Sequence, residues 1–555
     1  MRIPRLRAGI AAAAVAALAL SACADSNGGD TPADDDAHLI FGTAGEALTL
    51  DPTFVSDGES NRVARQIYDT LIQLKPGTTE YEGGLAESWE PDETGTVWTF
   101  SLRQGVTFHD GEALNAEAVC YNFDRWHNLE GIAQDPSMSY YWQQLSGGFA
   151  TNEPDRDDLG EPNYVSCEAT DESTAVITLR EASSKFPGLL VLSPFSIHSP
   201  AALEQYNASD VGGTSDAPTW PEYDENPTGT GPFMFDSWDR ANGEINLVRN
   251  EDYWGDTPTI ARLTFKAIPD ETARRQALAA GEIHGYDFPN PADWATLEAD
   301  GMNLQVRESI NLLYLAITQE SHEALEDVRV RQAIAHALNR EAMVTAIMPE
   351  GAEVATQFQP PSLAGWNPDV PQYPYDPDRA RDLLSEAGYE EGELELTFYW
   401  PTEVTRPYMP DPQSIAQLFI ADLEAAGITI EEVSEPWSPE YLADVQNGEA
   451  NLHLLGWTAD YPDGYNFIGT WHSRYLPQWG YQNEDLFAAM AEADANPNVE
   501  ERYAQYEQLN AMIMEFLPGV PISHTTPAIV FGPNVTGVEP SPMTQERFHT
   551  AQIGG

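Results

Sequence analysis

The sequence predicts an α/β protein with more than one lobe. Apolar residues recur at strand period in some segments and at helical period in others, and the two kinds alternate along the chain. The chain has 555 residues, 42% of them apolar and 10% aromatic. That is enough to build well-packed cores and too long for a single one. No repeat of fixed period is present.

The elements follow in order. "HLIFGTAGEALTLDP" (38–52) reads as a strand and a turn. "NRVARQIYDTLIQL" (61–74) has helical spacing at Val63, Ile67 and Leu71. In "TVWTFSLRQGVTFHDG" (96–111), Val97, Thr99 and Ser101 alternate with Trp98, Phe100 and Leu102, the pattern of a half-buried strand. "STAVITLRE" (173–181) is another strand. Tyr206 to Gly231, rich in Asp, Pro, Thr and Gly, is the clearest loop. "DVRVRQAIAHALNREAMVTAI" (327–347) is expected to form one amphipathic helix, with Val330, Ile334 and Ala337 or Leu338 inward and its arginines outward. "YDPDRARDLLSEAGY" (375–389) has Asp376 as N-cap, Pro377 at the first helical position and Gly388 as the stop. "PQSIAQLFIADLEAAGITIEEV" (412–433) is a helix, a Gly break and a strand. "ERYAQYEQLNAMIMEF" (501–516) is a last long helix.

Charge narrows the function. There are 89 acidic against 27 basic residues, a net charge of −62. Such a chain repels nucleic acid and anionic lipid headgroups. Only Lys75, Lys185 and Lys266 are lysines; the other bases are arginines. Many acids with almost no Lys suit a saline habitat, where counterions screen the self-repulsion. Plain solubility outside the cell is the alternative.

The N-terminus adds an address. Arg2, Arg5 and Arg7 precede an apolar run from Ala8 to Leu20 that is too short to span a membrane. It ends in Leu20-Ser21-Ala22-Cys23. This resembles a bacterial lipobox, which makes 1–22 a signal peptide and Cys23 the lipidated first residue. The chain is then expected at the outer face of the cytoplasmic membrane, held by its lipid anchor alone. The small, acidic stretch that follows makes 23–37 a disordered tether of about 20 Å. Cys120 and Cys167 remain. An exported protein meets an oxidising milieu, so a disulfide between them is expected, with two buried thiols as the alternative.

Signatures of catalysis are missing. There is no Gly-x-Ser-x-Gly, no His-Glu-x-x-His and no phosphate loop. The 11 histidines are scattered at no metal-ligand spacing, so neither a metal nor a cofactor is implied. His109 and Asp110 are adjacent; in a strand they would point to opposite faces, so the pair is poorly placed to act together, and "FHDG" (108–111) is expected to be a turn after a strand.

"LAESWEPDETGTVWTFSLRQGVTFHDGEALNAEAV" (85–119) resembles the signature of solute-binding protein family 5, the peptide-binding subunits of bacterial ABC importers. "GTGPFMFDSWDRANGEINLVRNEDYWG" (229–255) and "NLLYLAITQESHEALEDVRVRQAIAHALNREAMV" (311–344) match later blocks of that family in the same order. The resemblance implies a class II periplasmic-binding-protein fold: two hinged α/β lobes and an inserted third. Carried over, lobe I is 38–70, 181–285 and 517–555, lobe II is 71–180, and lobe III is 286–516.

The same resemblance implies a monomeric receptor, not an enzyme. It would take a small peptide between lobes I and III and hand it to the permease subunits of an ABC transporter. Gly456-Trp457-Thr458-Ala459-Asp460 matches the family stretch whose aspartate pairs with the ligand's α-ammonium. Trp457 and Tyr461 would offer ring faces to a cation. Asp463, in Pro462-Asp463-Gly464, reads as a turn former, and the same role is the alternative for Asp460. Arg406-Pro407-Tyr408 resembles the loop that meets the ligand carboxylate, a task suited to a guanidinium fork; a surface Arg locked between prolines is the alternative. Trp471 and Trp479 would suit a sugar. An oligosaccharide, opine or metal chelate is therefore the rival ligand. A carboxylate-dependent extracellular hydrolase or a structural surface protein is the rival class.

Overall fold

The computed structural model describes residues 34–156, 158–215, 217–308 and 310–554. The expected signal peptide, Cys23 and most of the expected tether lie outside the described residues. Residues 34–37, expected to belong to the tether, are strand instead. The first strand runs Asp34–Thr43 and takes in 34–37, because its backbone pairs in parallel with Ile260–Ala267.

That strand is central to a seven-stranded sheet, in the order 233–239, 244–249, 260–267, 34–43, 285–287, 528–531 and 303–306. Leu39, Phe41, Leu263, Phe265, Ile529 and Phe531 fill the core beside it. Helix Gly58–Ile67 packs on this body, capped by Asp57, whose carboxylate accepts from Ser60 N. The helical spacing read as far as Leu71 stops at Ile67. There the amide of Gly231 caps the Ile67 carbonyl at 2.9 Å, and the chain leaves as strand Ile72–Leu74.

A second sheet has six strands, in the order 353–354, 519–524, 311–317, 452–458, 395–402 and 429–436. Its middle strand, Asn311–Ile317, is buried along its whole length, as expected of a strand covered on both faces. Helix Pro377–Ala387 is built as its sequence announces, with Asp376 as N-cap and Gly388 at φ 98° as C-cap. The single helix expected over 327–347 is two, Val328–Ala337 and Arg340–Ile347. Asn339 intervenes and caps the second by accepting from Ala342 N at 3.1 Å. Nor do its arginines all face solvent. Arg331 and Arg340 are buried, donating to the carbonyls of Phe516 and Leu517 and of Ala355 and Pro521.

An inserted body has a four-stranded antiparallel sheet, in the order 86–91, 97–102, 174–179 and 164–171. Strand Val97–Leu102 alternates as its sequence predicts, with Trp98, Phe100 and Leu102 inward. Helix Ala116–His127 crosses this sheet, and a disulfide joins its Cys120 to Cys167 of strand Tyr164–Asp171, with the Cα atoms 5.1 Å apart. The core of this body continues through Phe186, Leu190, Phe195 and Ile197, beyond the break expected at 180. It is fastened to both neighbours. Arg125 pairs with Asp51 of the first body at 2.5 Å. Ser184 Oγ donates to Asp494 of the other at 2.7 Å, and Lys185 lies 3.6 Å from the same carboxylate.

Two connections join the large sheets, 306 to 311 and 524 to 528. The expected breaks at 285/286 and 516/517 move accordingly, since 303–306 pairs with 528–531 and 519–524 pairs with 311–317. Arg307 ties the connections together. Its amide donates to Pro527 O at 2.8 Å, and its guanidinium holds Glu546 at 2.7 Å and Asp287 at 2.6 Å.

Candidate functional site

Strand Leu452–Thr458, an interior strand of its sheet, carries the site at its C-terminal end. Gly456 is required there. A Cβ at this position would lie 2.3 Å from the Tyr408 ring and 2.4 Å from the Leu312 carbonyl. Its absence lets Tyr408 pack flush with the strand. The chain then turns, and Asp460 follows two residues after the strand ends.

Asp460 is half-buried and held on several sides. Its amide donates to Asn466 Oδ1 at 2.9 Å, and the same oxygen accepts from Trp457 Nε1 at 3.0 Å. Tyr141, from the inserted body, donates its hydroxyl to Asp460 Oδ1 at 2.9 Å. Asn466 Nδ2 reaches Oδ2 at 3.4 Å. No cation pairs with this carboxylate among the described residues. Burial therefore dominates and pushes its pKa up to about 6, against the smaller opposing pull of the Tyr141 and Asn466 hydrogen bonds.

The other sequence candidates divide. A cavity of about 970 Å³ is lined by Asp460, Trp457, Thr458, Arg406 and Tyr408 together. Arg406 has its Nε buried without a hydrogen-bond partner, and its guanidinium carbon lies 4.5 Å from the centre of the Trp437 ring. Its loop is pinned where Pro407 O accepts from Thr525 Oγ1 at 2.6 Å. Tyr408 is buried, and burial pushes its phenol up to about 12.

Tyr461 does not face the cavity. It is 3% exposed and lies against Gly188 of the inserted body, where a Cβ would come within 2.6 Å of its ring. It was expected to offer a ring to the ligand; it joins two bodies instead. Asp463 is the turn residue its sequence suggests, accepting from Tyr465 N at 2.8 Å. Trp471 stands on the cavity wall, edge-on to Trp457 at 5.1 Å. Trp479 is 1% exposed, so it offers no platform to a sugar.

Sequence reasoning missed Tyr141, Asn466, Trp437 and Arg474. All but Asn466 line the same cavity. Asn466 lies six residues beyond Asp460 and had a visible signal, an amide in the first turn of a helix following an acidic turn. Tyr141 had none, because it reaches Asp460 from 319 positions away. No group of His, Cys, Asp and Glu among the described residues is placed to hold a metal ion.

Residues 80–475 match the family described as bacterial extracellular solute-binding proteins, family 5 Middle. Heme-binding protein A of Haemophilus influenzae is 30% identical over 562 residues, covering 98% of each chain. The dipeptide-binding protein of Escherichia coli is 32% identical over 537 residues, 93% of this chain and 94% of that one. Among solved structures, the periplasmic binding protein DppA from Helicobacter pylori in complex with peptide STSA is similar at TM-score 0.75 and 28% identity. It covers 93% of this chain and 98% of its own.

Proposed function

Since the chain belongs to the bacterial extracellular solute-binding proteins of family 5, we propose that it is the peptide receptor of an ABC importer. It has the periplasmic-binding-protein fold of its relatives and is a substrate-binding component, not an enzyme. The ligand is a short peptide with a free amino terminus. Asp460 carries this reading. It is a carboxylate pushed toward its neutral form by burial, facing a cavity and lacking a cation. Moving an ammonium out of water requires such a partner. Arg406, on the same cavity and also unpaired, is the counterpart for the ligand's carboxylate. The heme-binding and dipeptide-binding relatives are about equally similar, and it is the Asp460–Arg406 combination that favours peptide. Of the two rings expected to suit a sugar, Trp471 lines the cavity and Trp479 is buried.

Calorimetry with a free and an N-acetylated dipeptide tests this. Loss of one partner of a desolvated ion pair costs about 2–5 kcal/mol, so Asp460→Asn should weaken the free peptide by roughly thirtyfold or more. N-acetylation should hurt the parent and matter little to Asp460→Asn. Equal binding of free and acetylated peptide by the parent would overturn the assignment.

The remaining roles belong to the same proposal. Acylated at Cys23, a monomeric receptor stays at the outer face of the cytoplasmic membrane and delivers peptide to its permease. No helix among the described residues is long and apolar enough to cross a membrane. The parent should enter the detergent phase on phase separation, and Cys23→Ala should not; an unacylated Cys23 in membrane-fraction protein contradicts the anchor.

A further inference from the structure

Acids outnumber bases by 89 to 27 in this chain, so an arginine seldom lacks a carboxylate. Among the described residues, only Arg262, Arg406 and Arg474 have arginine side chains with neither a hydrogen bond nor an ion pair. Two of these, Arg406 and Arg474, line the same cavity. Arg406 has a ring to rest on. Arg474 has no such support.

Arg474 follows helix Tyr465–His472 by two residues and is exposed. It lines the large cavity and also a chamber of about 20 Å³ behind Asp460, and Asp460, Tyr140 and Thr470 line both as well. It therefore lies at the Asp460 end of the site. Its charge is felt at Tyr140 and Tyr465, both neutral phenols, and Asp460 is too far to pair with it. The other acids on the wall belong to the first body. Asp57 caps helix Gly58–Ile67 with one carboxylate oxygen, and its other oxygen is buried without a hydrogen-bond partner. Glu59 accepts from Ala44 N and pairs with Arg62.

On the cavity wall formed by the six-stranded body, the charges without an ion pair are one carboxylate, Asp460, and two guanidinium groups, Arg406 and Arg474. A neutral-side-chain dipeptide, as a zwitterion, would satisfy Asp460 and Arg406 and leave Arg474 over. We infer that Arg474 is a second anion receptor of the site, and that the preferred ligands are peptides with an acidic side chain at the residue bearing the free amino terminus. This rests on the peptide reading above. It gives the extra cation a purpose in a chain whose overall charge repels an acidic ligand at distances the salt does not screen. A carboxylate-to-guanidinium contact there is charge-assisted and can be bidentate, so it adds orientation as well as attraction.

The test is calorimetry with Glu-Leu, Gln-Leu and Leu-Leu on the parent, Arg474→Gln, Arg474→Lys and Asp460→Asn. The parent should bind Glu-Leu about tenfold more tightly than Gln-Leu. Arg474→Gln should bring the two within about twofold and leave Leu-Leu unchanged, while Arg474→Lys should keep part of the preference, since charge survives and the fork does not. If Arg474→Gln also loses Leu-Leu through misfolding, Arg474→Lys decides: a retained preference for Glu-Leu supports the inference and its loss overturns it. A parent that binds all three alike through Asp460, or a preference that survives Arg474→Gln, overturns this inference and leaves the peptide reading standing. A parent that binds none of the three overturns both.

Discussion

At the scale of single residues, the site depends on a carboxylate kept half out of water. With its pKa pushed up to about 6 by burial, Asp460 of the empty protein is ionised at pH 7 and mostly protonated at pH 5. An ammonium ligand selects the ionised form. Affinity should therefore hold above pH 7 and fall by up to about tenfold per pH unit below 6, with proton release on binding near pH 6. Titrations from pH 5 to 8, in two buffers of different ionisation enthalpy, measure both; an affinity flat across that range contradicts the role. The stability of the empty protein has a matching sign. A carboxyl whose folded pKa lies above its unfolded value binds more protons when folded, so this contribution is lost as pH rises from about 4 through 6. Bound peptide should cancel that loss. The aspartate was legible in the sequence because its motif is local, Gly456 to Asp460. Its environment was not, because Tyr141 arrives from another body and Arg474 belongs to no motif.

At the scale of elements, periodicity named strands and helices well where one element stays in one environment. Strand Val97–Leu102 and helix Pro377–Ala387 are such cases. It failed where tertiary contacts set the ends. The helix read through Leu71 stops at Ile67 because a glycine loop caps it, and the helix read over 327–347 breaks where Asn339 starts a second one. Arg331 and Arg340 looked like a solvated face because sequence does not show that a helix C-terminus and a strand behind them present carbonyls to these guanidinium groups. Gly456 is the element-level feature with the sharpest consequence. Replacing it with Ala sets a methyl against the Tyr408 ring and the Leu312 carbonyl. Overpacking of this kind costs about 1–3 kcal/mol. Gly456→Ala should lower the melting temperature and weaken ligand binding together, because relief requires Tyr408 to leave the cavity wall. A variant that melts normally and binds normally would show that the strand yields instead.

At the scale of the whole molecule, the α/β class and the three-part plan could be read from alternation and ordered blocks, whereas the boundaries could not. Strand 303–306 belongs to the first sheet and strand 519–524 to the second; only the pairing partners, hundreds of residues apart, decide that. Net charge is a property of the same scale. With −62 charges, repulsion between surface carboxylates opposes the compact state, and molar salt shortens the Debye length to about 3 Å. The melting temperature should rise as sodium chloride goes from about 0.1 M to molar. A flat response would mean the acids serve only solubility. The contact between Ser184, Lys185 and Asp494, together with Tyr141 on Asp460, has a consequence for time rather than energy. The inserted body grips the six-stranded body at points away from the two connections, so opening the cavity breaks these contacts even when no ligand is inside. They add to the barrier for opening more than to the affinity for what is held. If the proposed peptide is the ligand, its residence, and so the time available to meet a membrane partner, depends in part on Ser184, Lys185 and Asp494, none of which lines the cavity.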